Sequence, residues 1–363
     1  MFDGDIRLKI KIFNHEICVC ALLATNSSCA ESSAEMRKMM NLLVLSCGTR
    51  NKVVQYFKKA FAGVGRIVCT DASPYAPALY EADAYYVVPR ITQPDYIEVI
   101  LDICRKESIC GVLSLIDPEL SLLAANEEQF RALNITVIGS SYELCERTLD
   151  KWQLYNWMQK HQYPCAKSYV DLTCFQEAVC AGEVSFPVFV KPVRGSASLQ
   201  IAKAQDMETA EWLYRQGSSM MIQEYMDGQE IGVDCYIDLI SHEVVSLFAK
   251  KKLVMRAGET DKAISFEDSR LFEQVERFVK ENGFVGQIDI DLFEKDGVFY
   301  FSEVNPRFGG GYPHAYACGV DHMTLIRNNL AGKANDKQIG GYATGKVMMK
   351  YNEIMLVDEV SSV

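Results

Sequence analysis

The chain has 363 residues, a formal net charge of −11, 49% hydrophobic and 23% charged residues. This is an ordinary globular composition with room for two or three compact units. The acidic balance argues against a nucleic-acid surface, which needs a basic footprint, and no apolar run reaches the roughly 18 residues that suggest a bilayer span.

Residues 1–39 are read as an N-terminal extension with no catalytic part, or a start-site artefact. The apolar piece Cys18–Thr25 has the length of a signal core, but Asp3 and Asp5 spoil a cationic n-region. From Met40 onward strands alternate with helices: strand Leu42–Ser46, helix Asn51–Ala62, strand Arg66–Thr70, a β-rich Ala84–Val88, helix Tyr96–Lys106, strand Gly111–Leu115, helix Pro118–Leu133 opened by Asp117, and strand Ile135–Ile138. The alternation predicts a parallel sheet with covering helices over 40–142. Ser46–Arg50 is not a GxGxxG loop, so a dinucleotide fingerprint is absent. Ligands of such sheets sit at strand carboxyl ends, which makes Cys47–Arg50, Asp71 and Asp117–Glu119 weak substrate candidates. Helix capping is the stronger expectation for Asp117.

The pattern changes near 143. A helix is expected over Glu143–His161, then strand Ser185–Pro192, a small-residue loop Arg194–Ser198, strand Gln200–Ala204, helix Met207–Gln216, the segment Met220–Met226, a turn at Gly228 and strand Glu230–Leu239. Helix Phe266–Asn282 precedes a hairpin, Val285–Phe293 and Val298–Asn305, around Lys295-Asp-Gly297.

The hairpin carries the most chemistry. Glu303, Asn305 and Arg307 are spaced by two and share one face of an extended backbone. Glycines 309–311 allow close backbone approach. Gln287, Asp289 and Asp291 alternate on the partner strand, and which aspartate meets Glu303 depends on a register the sequence leaves open. Two carboxylates about 4 Å apart repel by roughly 4 kcal/mol at an effective dielectric near 20. Such a pair needs a cation or a raised pKa, and magnesium bound to substrate phosphates meets that need. Upstream, Lys191 ends a strand beside Gly195, Ser196, Ala197 and Ser198, whose N–H groups and hydroxyls suit phosphate oxygens. Lys151 offers a second charge. The chain lacks GxxxxGK[ST] and is not a P-loop protein. Gln223–Met226 is a strand-like hinge able to read an adenine edge, with Met226 on the ring and Glu230 toward ribose hydroxyls. The 13 cysteines include no CxxC pair, so zinc and thioredoxin-like chemistry are not indicated. Free buried thiols fit a reducing cytoplasm.

Lys151, Phe186–Pro192 with its loop, Gln223–Glu230 and Glu303-Val-Asn-Pro-Arg307 occur in the order of the ATP-grasp superfamily. Over roughly 40–357 the chain resembles the branch that includes the carbamoyl-phosphate synthase large subunit and biotin carboxylase. The resemblance implies a pre-ATP-grasp α/β domain (40–142), an ATP-grasp domain (143–357) with a nucleotide lid near 185–226 and a metal-binding lobe near 227–357, and a tail, 358–363.

By the same resemblance Lys151 and Lys191 contact ATP phosphates under the flap 194–198. Glu224 and Met226 bond adenine through the main chain, and Glu230 the ribose. Asp291, Glu303 and Asn305 hold Mg2+ or Mn2+, with Asp289 as second choice for the acid. Arg307 and Lys191 act on the transferred phosphoryl group. Arg256, Asp261 and Lys262, expected in a polar segment between strand and helix, resemble a substrate-closing loop. His314 faces the acceptor or is a packed histidine. The implied activity is an ADP-forming ligase that joins a small-molecule carboxylate, activated as an acyl phosphate, to an amine. A small-molecule kinase and a nucleotide sensor are the alternatives. No nucleic acid or membrane partner is implied, and a homodimer rests on the resemblance alone. The single copy, with no visible biotin carrier, departs from carbamoyl-phosphate synthase and biotin carboxylase themselves.

Overall fold

The computed structural model describes residues 11–12, 15–16, 39–195, 201–256 and 258–358. Residues Met1–Lys38 and Met39–Val363 form separate units. In the first, β1 (Lys11–Ile12) pairs antiparallel with β2 (His15–Glu16).

The second unit opens with β3 (Asn41–Leu45), α1 (Asn51–Phe61), β4 (Ile67–Asp71), a 3-10 turn (Pro77–Glu81), β5 (Ala84–Val87), α2 (Tyr96–Lys106), β6 (Ile109–Ser114), α3 (Asp117–Ala125), α4 (Glu127–Ala132) and β7 (Thr136–Val137). The strands form a parallel sheet of order β5-β4-β3-β6-β7. All five β3 residues are buried because both faces are covered, as parallel sheets require. Leu43 and Leu45 pack with Ile100 and Cys104 of α2. Leu42 and Val44 pack with Phe57 of α1. That second core continues into Phe308, Tyr312 and Ile326 from the far end of the chain, and Phe57 meets Phe308 edge-on at 5.6 Å.

Two expected helices are broken. Residues 118–133 split into α3 and α4 at Asn126. Residues 143–161 split into α5 (Tyr142–Leu149) and α6 (Lys151–Lys160) at Asp150, whose carboxylate accepts the Gln153 N–H at 3.0 Å and starts α6 as an N-cap.

A small antiparallel sheet follows, built from β8 (Ser168–Tyr169), β9 (Val188–Pro192), β10 (Ala202–Ala204) and β11 (Met220–Glu224) in the order β10-β9-β11-β8. It is backed by α7 (Leu172–Cys180) and α8 (Met207–Arg215), with Phe175, Val188, Val190, Ala210 and Ile222 as its core. This lobe therefore begins at Ser168, before the expected lid boundary at 185, because α7 supplies half of its cover.

The large sheet has the order β16-β15-β12-β13-β14-β18, with β17 pairing β13. Its strands are β12 (Gln229–Ile237), β13 (Val244–Arg256), β14 (Glu259–Phe266), β15 (Gly286–Lys295), β16 (Val298–Asn305), β17 (Gln338–Ile339) and β18 (Val347–Met349). One face is closed by α9 (Ser269–Asn282), whose Leu271, Phe272, Val275, Phe278 and Val279 follow the helical period into the core. Asp268 caps its start and Gly283, at φ +80°, ends it. Helices α10 (Tyr312–Ala317) and α11 (His322–Leu330) return to the parallel sheet.

Candidate functional site

A cavity of about 570 Å³ opens between the small sheet, the large sheet and the carboxyl ends of the parallel strands. The β15–β16 hairpin forms part of its wall. Its turn is Asp296-Gly297, both with positive φ, as a two-residue hairpin turn demands. From that turn the ladder pairs Lys295 with Val298 and Leu292 with Phe301. A bulge then skips Ser302, and Asp291 pairs with Glu303 and Asp289 with Asn305. The skipped residue thus sets which aspartate faces Glu303.

The acids are interleaved with cations. Lys252 Nζ lies 2.7 Å from Asp291 Oδ1 and 2.8 Å from Glu230 Oε1. Lys250 pairs with Asp234 at 2.5 Å, both fully buried. Arg307 donates to Asp117 Oδ2 from Nε (3.2 Å) and Nη2 (3.1 Å), and its Nη1 is 4.0 Å from Asp289. Burial, with Asp291 next to it, pushes the Asp289 carboxyl up to about 7. Burial opposes the Arg307 charge, but Asp117, Asp289 and Glu303 outweigh it and hold the guanidinium above its ordinary value.

The glycine triplet has a separate steric reason at each position. A Cβ on Gly309 would lie 2.4 Å from the Asp289 carboxylate, one on Gly310 2.6 Å from Arg50 Nη1, and one on Gly311 2.8 Å from Lys250 Cε. The charged groups approach this backbone more closely than any side chain allows.

On the opposite wall Lys191 ends β9 with 8% exposure and donates to Gln223 Oε1 at 2.7 Å. Burial lowers its pKa to about 8, with Glu303 acting against the shift and Lys151 with it. Gln223 in turn donates to Ser168 Oγ at 2.9 Å. The Glu224 carboxylate accepts the Lys167 N–H at 3.1 Å. Met226 is buried beside it. Lys151 Nζ donates to the Gly195 carbonyl at the mouth of the small-residue loop, and the Lys151 N–H bonds Val193 O at 2.9 Å. Ser196 and Ser198 lie outside the described residues.

Lys191, Gln223, Glu224, Met226, Glu230, Asp291, Glu303, Asn305 and Arg307 therefore line one cavity. Three expected substrate residues do not line it. Arg256 and Lys262 lie on β13 and β14, not on a polar connection, and their side chains are exposed. His314 is 2% exposed, bonds Lys346 O at 2.9 Å and packs edge-on to Phe248 at 5.1 Å. Burial drives its pKa down to about 4, the signature of a packed neutral imidazole. Asp117 is also corrected: it is the first residue of α3 and makes no cap bond, because its carboxylate is taken by Arg307. Glu119 is a buried structural acid bonded by Tyr96 and Ser114. Asp71 accepts Gly48 N–H and Ser73 N–H instead of facing the cavity.

Lys252, Arg50, Asp117 and Glu259 line the cavity as well. The run Lys250-Lys251-Lys252 carried the first signal in the sequence, since alternate residues of a strand share a face and two lysines there need acids.

The hairpin suits a hard cation by its donor chemistry. Asp291 and Glu303 are direct cross-strand partners, which brings Cβ atoms to about 5 Å, and Asn305 supplies a neutral oxygen one pleat away. Among the described residues no group of three or more His, Cys, Asp or Glu is poised around a metal position. The set is two acids and an amide, which leaves coordination positions for substrate oxygens.

A small sheet facing a large antiparallel sheet across a polar cavity, behind a parallel α/β unit, defines an ATP-grasp architecture. Residues 148–311 match the ATP-grasp domain model and residues 42–138 match the PylC-like, N-terminal domain model. The chain thus contains an ATP-grasp domain behind a PylC-like N-terminal domain. It is 27% identical to a D-alanine--D-alanine ligase of Francisella philomiragia over 276 residues, 67% of this chain and 90% of that one. It is 25% identical to the carbamoyl phosphate synthase large chain of a Thermoanaerobacter species over 66% of this chain, but spans only 24% of that relative. Among solved structures, the Campylobacter jejuni biotin carboxylase complex superposes with a TM-score of 0.68 at 18% identity, covering 86% of this chain and 75% of that one. The ADP complex of Staphylococcus aureus N5-carboxyaminoimidazole synthetase gives 0.68 at 13% identity, covering 87% and 83%. At these identities the likeness is one of fold.

Proposed function

We propose that the protein is an ADP-forming ligase. It activates a small-molecule carboxylate with ATP and passes the acyl group to an amine or similar nucleophile. The observation that carries this reading is the meeting of Asp291 and Glu303 across β15–β16, in the same cavity as Lys191 and Gln223–Met226. Relatives of this architecture include a D-alanine--D-alanine ligase and an L-amino acid ligase.

The residues take the following roles. The hinge Gln223–Met226 receives adenine, with Glu224 and Met226 bonding it through the main chain, and Glu230 receives the ribose. Lys191 and Lys151 hold phosphate oxygens, under the loop that begins at Gly195. Asp291, Glu303 and Asn305 hold Mg2+, which when bound offsets charge on the phosphates. The Arg307 guanidinium, fixed by Asp117, is preoriented toward the phosphoryl group and the acyl phosphate. In-line transfer needs positioning and charge neutralisation rather than covalent help from the protein. Burial brings the Lys191 pKa down to about 8, so the ammonium is still mostly charged at neutral pH, and a phosphate beside it would favour the charged form further.

The test is ADP release against a panel of carboxylates, with and without amines. Release that needs both supports the ligase. Release with a stable phosphorylated product and no amine would make the protein a kinase. Wild-type turnover in Glu303→Gln or Lys191→Ala would defeat the site assignment.

A further inference from the structure

Lys252 joins two carboxylates to which the reading above gives different tasks. It sits on β13, Asp291 sits two strands away on β15, and β12 runs between them. The ammonium reaches across that middle strand at Gly232, which stands opposite Asp291 in one ladder and Lys250 in the other. A Cβ on Gly232 would lie 3.3 Å from Lys252 Cε and 2.9 Å from Lys250 Cε. The missing side chain is what makes room for the crossing. At its end Lys252 Nζ contacts Asp291 Oδ1 at 2.7 Å and Glu230 Oε1 at 2.8 Å, with its side chain only 4% exposed.

The other ionic groups nearby are already committed. Asp234 holds Lys250 at 2.5 Å, and Arg307 is held by Asp117 with Asp289 at 4.0 Å. No other cation within ion-pair reach of Asp291 is found among the described residues. Burial opposes the Lys252 charge, but Asp291 and Glu230 outweigh it, so its proton is held more tightly than in an ordinary lysine. Lys252 is a fixed cation bonded to the oxygen that a metal would need.

We infer that Lys252 competes with divalent metal for Asp291, keeping that carboxylate occupied until nucleotide-bound metal displaces the ammonium, which then remains on Glu230. The inference rests on the reading that Asp291 is a metal ligand. Bare metal must break a buried ion pair with no other gain, whereas metal arriving on a nucleotide also gains phosphate contacts at Lys191. Lys252 is thus a positioning residue that makes metal entry depend on the nucleotide.

The test is Mn2+ binding to the full chain, followed by electron paramagnetic resonance, with and without ADP. Wild type is expected to bind Mn2+ weakly alone and well with ADP. Lys252→Met, which keeps the stem and removes the charge, is expected to bind Mn2+ alone at least tenfold tighter, and Lys252→Arg to remain like wild type. Lys252→Gln serves if the methionine variant does not fold. Thermal unfolding gives a second readout: without metal the uncharged variants unfold at lower temperature, and Mn2+ raises their midpoint more than that of wild type. Unchanged or weaker Mn2+ binding in both uncharged variants, while wild type still binds Mn2+ with ADP, would overturn the inference and leave the ligase reading standing. Absence of Mn2+ binding to wild type even with ADP would overturn both.

Discussion

Arg307 and Asp117 are 190 residues apart in sequence and form a buried ion pair at 3.1 Å. The guanidinium leaves the end of the β15–β16 hairpin, and the carboxylate begins α3 at the carboxyl end of a parallel strand. This pair fastens the α/β unit to the large sheet at the cavity itself. Removing one partner of such a pair leaves a buried charge uncompensated and typically costs about 3–5 kcal/mol. Asp117→Ala is expected to lose stability in that range by urea denaturation, and to lose turnover as Arg307 loosens. Unchanged stability would mean that the pair contributes little to joining the two parts.

Lys191 carries a pH signature. Its folded pKa, about 8, is below the usual lysine value because of burial. Between about 8 and 10.5 the unfolded chain binds more protons, so this group makes the free protein more stable as pH rises through that window. In the proposed role Lys191 holds phosphate as an ammonium, so binding would run the other way. ATP affinity is therefore expected to fall as pH rises through 8 in wild type and to change far less in Lys191→Met, as measured by calorimetry at fixed ionic strength.

Asp289 has the opposite shift. Its folded pKa is raised by burial and by Asp291 to about 7. The stability associated with its protonated form is complete below about 4 and is lost as pH rises through 7. Asp289→Asn is expected to flatten that part of the stability profile. A wild-type slope retained in the variant would assign the titration to another group.

The glycine triplet makes a graded prediction. Gly309→Ala drives a Cβ to 2.4 Å from the buried Asp289 carboxylate, whereas Gly310→Ala meets the ends of two side chains, Arg50 and Glu259, with 21% and 41% exposure. Overpacking of a fixed interior group typically costs about 1–3 kcal/mol. Gly309→Ala is expected to be the more destabilising of the two by thermal unfolding, because Arg50 and Glu259 have room to shift.

Much of the architecture was legible in the sequence because it depends on local signals. The parallel strands announced themselves by apolar runs, and the final hairpin by Asp296-Gly297. What was not legible depends on pairings over distance. The register of Asp291 with Glu303 turns on one bulge at Ser302, and the hydrophobic pattern does not specify it. The break between α5 and α6 comes from Asp150 choosing a cap over a helical continuation. Asp117 looked like a cap because nothing local reveals a guanidinium 190 residues away. Strands β13 and β14 extend beyond the core as an exposed ladder that pairs Arg256 with Glu259, and no buried apolar face marks that stretch as strand in the sequence. Lys252 is buried only because Asp291 and Glu230 meet it from other strands.

The most direct measurement uses phosphorus hyperfine coupling to Mn2+ in the presence of ADP, by electron–nuclear double resonance. It asks whether the hairpin acids hold metal against phosphate. A phosphorus coupling is expected in the wild-type complex, with its loss in Glu303→Gln at equal nucleotide occupancy. A wild-type complex without phosphorus coupling, or a coupling unchanged in the variant, would contradict the metal assignment.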